Sequence, residues 1–176
     1  MTNAPARKAL VVFDGAHCER LRKAFGSRFP FLALIEKFGE PISASIYFHD
    51  ARDEAEAGRL DRLYGYLKHI NVEVAGVGPE KMEQGQRERY GTNLVELALE
   101  TERRAASTDH VILVAGDRKL LPLVLALRES GKSVTIVSSL EVPQSIRPAT
   151  ALLDAADQFL DVTDLLADEN NGRHDH

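Results

Sequence analysis

Apolar residues in this chain fall into short unbroken runs, separated by longer stretches where they recur every three or four positions. The runs at 9–13 (ALVVF), 42–48 (ISASIYF), 72–77 (VEVAGV), 110–115 (HVILVA) and 133–138 (SVTIVS) are rich in β-branched residues. Runs of this kind predict strands buried on both faces. The periodic stretches at 18–25, 32–38, 52–70, 94–106, 120–130 and 148–159 predict helices. In 52–70, Leu60, Leu63, Leu67 and Ile70 share one face. Residues 94–106 are helical by their Leu, Ala and Glu content, and Gly131 closes the helix at 120–130. A short sixth strand is expected at 160–162. The polar stretch 78–91 reads as a loop, and so does the turn after the first strand, at Asp14-Gly15. Strands alternating with helices call for a three-layer α/β/α fold around a mainly parallel sheet of about five to six strands. Residues 1–166 form one domain in this reading, and 167–176 a flexible polar tail.

Composition narrows the picture. The chain has 176 residues, 44% hydrophobic and 28% charged, which excludes disordered and low-complexity classes. Cys18 is the single cysteine, so there is neither an internal disulfide nor a cysteine-built zinc site. A net charge of −5 excludes binding to nucleic acid through bulk charge, so any such site is a local patch. The first apolar run is too short, and stopped too soon by Asp14, for a leader or a membrane span. The expectation is a cytoplasmic protein.

Ligands of open parallel sheets bind beyond the carboxyl ends of the strands. Two of the predicted strands end in an acid, at Asp14-Gly15 and Gly116-Asp117. Either acid alone reads equally as a helix cap. Two such acids after buried strands converge at one sheet edge if both strands are central. Asn93, Glu96 and Glu100 fall on one face of the 94–106 helix, whereas Glu102, Arg103 and Arg104 are expected to point elsewhere. Oxygen donors from strand ends and this helix suit a hard cation such as Mg2+ or Mn2+. Such an ion orients a phosphodiester and activates water. There is no GxxxxGK[ST], no GxGxxG and no Ser/His/Asp motif.

The same residues resemble the NYN domain, in its LabA-like group, a branch of the PIN-like ribonuclease superfamily. The resemblance runs from about Ala9 to Leu166. It rests on Phe13-Asp14-Gly15-Ala16-His17 against a DGxN motif and on the segment Asn93 to Glu102 against an acidic helix motif. Asp109-His110 through Gly116-Asp117-Arg118-Lys119, then Leu127-Arg128, Gly131 and Val134 to Ser138, follow the family's DH…GDxD…LR…G…VVS order. Ala155-Ala156-Asp157-Gln158-Phe159-Leu160-Asp161 stands in place of its closing segment. The resemblance implies a PIN-like, Rossmann-like fold and metal-dependent cleavage of RNA. It implies Asp14, Glu100 and Asp117 as carboxylates for Mg2+ or Mn2+, with Asn93 and Lys119 completing the catalytic set.

Three positions depart from the family pattern: Asn93 or Leu94 stands for an acid, His17 for the Asn of DGxN, and Lys119 for the second acid of GDxD. Lys119 either pairs with a neighbouring carboxylate in place of metal or holds the phosphate and stabilises charge during cleavage. Contacts with RNA, single-stranded by preference, are expected from Lys81, Arg87, Arg89 and Tyr90 on the loop and from His17. Glu80, Glu83 and Glu88 nearly cancel that loop's charge, so a solvated loop is the competing reading. Two other functions compete with the ribonuclease. One is a weakened pseudo-nuclease that binds RNA, a protein partner or a second copy. The other is a phosphatase of the haloacid dehalogenase type, suggested by VVFDG, although Ala16 stands where that chemistry needs a second Asp.

Overall fold

The structure, a computed structural model, describes residues 6–51, 53–76 and 91–172. Six parallel strands form one sheet: β1 (Ala9–Asp14), β2 (Ile42–Phe48), β3 (Glu73–Ala75), β4 (His110–Val114), β5 (Ser133–Ser138) and β6 (Gln158–Asp161). Their spatial order is β3-β2-β1-β4-β5-β6. The order reverses between β1 and β4, which are direct neighbours with Phe13 opposite Val114. This reversal is the switch point at which open α/β sheets place their ligands.

Seven α-helices cover the two faces among the described residues: α1 (Gly15–Phe25), α2 (Phe31–Lys37), α3 (Glu54–His69), α4 (Leu94–Ala105), α5 (Leu121–Glu129), α6 (Thr150–Ala155) and α7 (Val162–Gly172). Side chains alternate across a strand, so each central strand feeds two cores. Ala9, Val11 and Phe13 join Ile112 and Val114 in a core with Leu21, Leu34 and Leu67 of α1–α3. Leu10 and Val12 join Val111 and Leu113 in the other, with Leu97 of α4, Val124 of α5 and Leu152 of α6. Phe13 lies edge-on to Phe31, with ring centroids 5.2 Å apart, and Phe31 is edge-on to Tyr47 at 5.9 Å. Such pairs add about 0.5–1.5 kcal/mol each beyond the area they bury. They fix the strand that ends in Asp14 on a rigid apolar base.

The structure departs from the sequence reading in four places. The first strand runs straight into α1 with no loop, because Asp14 itself caps the helix. The helix expected at 148–159 stops at Ala155. Asp157 trades backbone and side-chain hydrogen bonds with Val134 (2.9 and 2.8 Å), which pulls Gln158–Asp161 onto β5 as a strand. The helix at 120–130 begins with a 3-10 turn over Arg118–Leu120. α7 continues through Gly172, past residue 166, where the polar tail was expected to start. No helix among the described residues is long and apolar enough to cross a membrane.

Candidate functional site

The carboxyl ends of β1 and β4 bring Asp14 and Asp117 to the switch point. Asp14 is buried, 2% exposed. One of its oxygens accepts the His17 backbone N–H at 3.2 Å and the Thr92 hydroxyl. Burial pushes the Asp14 carboxyl above its ordinary range, and the nearby Asp117 charge pushes the same way, against both hydrogen bonds and Arg20. Asp117 is half-buried and accepts the Lys119 backbone N–H at 2.9 Å, which caps the 3-10 turn. The expected convergence of these two strand ends is therefore present, and each acid is a cap as well.

Two glycines make the junction possible. A Cβ on Gly15 would lie 2.5 Å from the Phe48 carbonyl oxygen, so only glycine allows α1 to start against β2. A Cβ on Gly116 would lie 2.6 Å from His17 Cε1. The His17 ring therefore rests on the Gly116 backbone. Its Nε2 is hydrogen-bonded to Ser138 Oγ at 2.7 Å, and it is 2% exposed. Burial, then Arg20, depress its pKa to about 4, so it is neutral at pH 7. The sequence reading offered His17 to RNA; the structure makes it an interior post joining the ends of β1, β4 and β5. Its side chain is spoken for by Ser138 and presents no exposed edge.

The α4 face is only partly as expected. Asn93, Glu96 and Glu100 do share one face, and all three line a cavity of about 580 Å³. Asn93 caps α4 by accepting the Glu96 backbone N–H at 3.1 Å. Glu100 is already engaged. It is held by Arg103 and, at 2.8 Å, by Arg104, which drives its pKa down to about 2. The two arginines therefore do not point elsewhere. Spacings of i+3 and i+4 place them over Glu100, and Glu73 on β3 draws Arg104 further round at 2.9 Å. Lys119 is exposed, with no ion-pair partner among the described residues. The loop residues Lys81, Arg87, Arg89 and Tyr90 lie outside the described residues. Gly76 and Gly91, which flank that stretch, both abut His49–Asp50.

Sequence reasoning missed Thr92, Asp50 and Ser138. Thr92 ties three elements together: its hydroxyl bonds Asp14, approaches the Phe48 carbonyl at 3.1 Å and accepts the Ala16 N–H at 3.1 Å. Asp50 is buried and hydrogen-bonds Gly91 through its N–H at 2.7 Å. These contacts join residues far apart in sequence, and no local pattern announces them.

A cation would find Asp14 and Asp117 near enough for one charge to act on the other, a repulsion that a divalent ion would relieve. Two carboxylates and water suit a hard, hydrated ion. Glu100 does not fit as a third ligand while both arginines hold it. Among the described residues no three His, Cys, Asp or Glu side chains form a metal-holding group.

An open parallel sheet with paired acids at its switch point defines a doubly wound α/β protein with an acidic site. The NYN domain profile matches residues 8–166, and the chain belongs to the NYN domain family, which carries with it the PIN-like nuclease superfamily. A protein of unknown function from Vibrio parahaemolyticus has a similar structure, with a TM-score of 0.74 at 20% identity over 94% of this chain and 98% of its own. A nicotinamidase from Staphylococcus aureus aligns over 94% of both chains at 14% identity with a TM-score of only 0.40, too low to argue from. No curated protein matches the chain by sequence.

Proposed function

We propose that the protein is a cytoplasmic, metal-dependent ribonuclease of the LabA-like group that cuts single-stranded RNA at Asp14 and Asp117. The observation that carries this reading is the meeting of two carboxylates at the ends of adjacent strands, close enough for one charge to raise the other's pKa. When bound there, Mg2+ or Mn2+ supplies charge stabilisation at the phosphodiester and a water nucleophile at neutral pH. Asp14 and Asp117 would hold the ion. Thr92 and the His17 N–H fix the Asp14 carboxylate, so its geometry is set before substrate arrives. Lys119, exposed beside Asp117, binds a phosphate oxygen and offsets charge as the bond breaks. Arg20 adds a cation on the first turns of α1. Lys81, Arg87, Arg89 and Tyr90 extend the RNA contacts by phosphate pairing and base stacking.

The engagement of Glu100 by two arginines and the lysine beside Asp117 favour a second reading, a weakened nuclease that binds RNA or a protein partner without cutting it. Cleavage of labelled single-stranded RNA with Mn2+ separates the two. The ribonuclease reading expects cutting by the parent that disappears in Asp117→Asn. An inactive parent that gains activity as Lys119→Asp supports the second reading and overturns the first.

A further inference from the structure

The cavity between α4 and the β2–β3 edge does not belong to the acid pair, yet it opens next to it. Its floor is apolar: Ile46 and Phe48 are 1% and 2% exposed. Its outer wall is Val95 and Leu99, aliphatic side chains left 70% and 66% exposed. A volume of about 580 Å³ lies within the usual range for small-ligand sites. Two links place it beside Asp14. The Phe48 carbonyl accepts from Thr92, whose hydroxyl also holds Asp14, and Asn93 on the cavity rim directly follows Thr92.

The charge of the lining selects the occupant. Three carboxylates face the cavity, Glu73, Glu96 and Glu100, against the two guanidiniums of Arg103 and Arg104. Glu100 engages both arginines, and Glu73 engages Arg104 as well. Glu96 has no ion pair among the described residues and lies on the side nearest Asn93. The surplus is an acceptor. It disfavours a phosphate and favours a ligand that carries N–H donors, and the apolar floor and wall favour a flat one.

We propose that this cavity receives a nucleobase of the RNA next to the one being cut, its face against the exposed side chains of Val95 and Leu99 and its exocyclic amino group donating to Glu96. Cytosine and adenine then bind in preference to uracil and hypoxanthine, which present a carbonyl at the same position. The position beside the cut rests on the ribonuclease reading; the ligand class rests on the cavity alone.

Free nucleosides test the ligand class without any cleavage. Cytidine, uridine, adenosine and inosine are titrated into the full chain while the methyl resonances of Val95 and Leu99 are followed. The expected result is binding of cytidine over uridine, and adenosine over inosine, by about tenfold, the worth of one hydrogen bond to a charged group. Glu96→Met abolishes both preferences. Leu99→Ser, an exposed change that leaves the fold intact, weakens all four nucleosides by about fivefold and keeps the ratios. Uridine or inosine binding as well as their amino counterparts overturns the proposal. So does silence of these methyls towards every nucleoside, or their displacement by inorganic phosphate. Nucleoside binding that persists in a parent unable to cut RNA overturns the ribonuclease reading and leaves the cavity's ligand standing.

Discussion

The two ends of the sheet use the same residue types and treat their charge in opposite ways. At the amino end, His110 is buried with Nδ1 on Glu40 at 3.1 Å and Nε2 on the Thr135 hydroxyl at 2.7 Å. Asp109 accepts the Lys8 N–H at 3.0 Å, and Asp157 accepts from Val134 while facing Arg128 at 3.2 Å. Each of those acids has a donor of its own. At the carboxyl end, Asp14 and Asp117 lie near enough for the Asp117 charge to push the Asp14 pKa up; both accept hydrogen bonds, but neither they nor Lys119 form an ion pair among the described residues. Buried charge is expensive unless paired. The amino end sets Glu40 against His110 and Asp157 against Arg128, whereas the carboxyl end leaves its two acids without a cation paired to either among the described residues.

The sharpest way to break this contrast is to remove one acid from each end. Asp117→Asn is expected to reduce RNA cleavage by at least about a hundredfold, since even outer-shell partners of metal ligands cost 10–100-fold. Glu40→Gln is expected to leave cleavage unchanged while lowering thermal stability. Equal loss of activity in both variants would erase the distinction between the ends.

Buried His17 gives a pH test. His17 has its folded pKa lowered to about 4 from an ordinary 6.5, so the unfolded chain takes up a proton first as pH falls. Stability is therefore complete above pH 6.5 and drains away between 6.5 and about 4. Integrated over that window, the loss is roughly 3 kcal/mol. Denaturant unfolding of His17→Asn across the window should show a much flatter slope than the parent. An unchanged slope would mean that His17 is not the buried neutral ring at the switch point.

Gly116→Ala sharpens the same point more gently. The added methyl meets the His17 ring, and overpacking of this kind costs about 1–3 kcal/mol; a thermal melt reads it directly. Smallest is Glu73→Gln on the β3 edge, an exposed ion pair with Arg104 worth about 0.2–1 kcal/mol. Its chemical denaturation midpoint is expected to move little, and the shift should shrink further in high salt.

Much of this architecture is visible in the order of residues alone. Ile42–Phe48 and Ser133–Ser138 are strands at the bounds their apolar runs suggest, because a strand buried on both faces has little choice of composition. Asp14 and Asp117 are legible as strand-end acids for the same reason. What sequence could not show is how side chains are shared out. Helical spacing correctly puts Glu100 with Glu96 and Asn93, yet the contest between arginines and a metal for Glu100 turns on Glu73, which stands on a different element. Ala155 and Ala156 favour helix, yet the paired hydrogen bonds between Asp157 and Val134 override that preference and turn the chain into β6. His17 reads as an exposed strand-end ring until Ser138, far along the chain, closes over it.

The position of β1 at the centre of the sheet also sets an order of events during synthesis. β1 has one neighbour, β2, within the next few dozen residues, but its other edge waits for β4, about a hundred residues later. At typical translation rates of 5–20 residues per second, that wait is roughly 5–20 s. Asp14 is made about a hundred residues before Asp117 joins it. Until β4 is made, the nascent chain therefore holds β1 by one edge only and carries half of the acid pair.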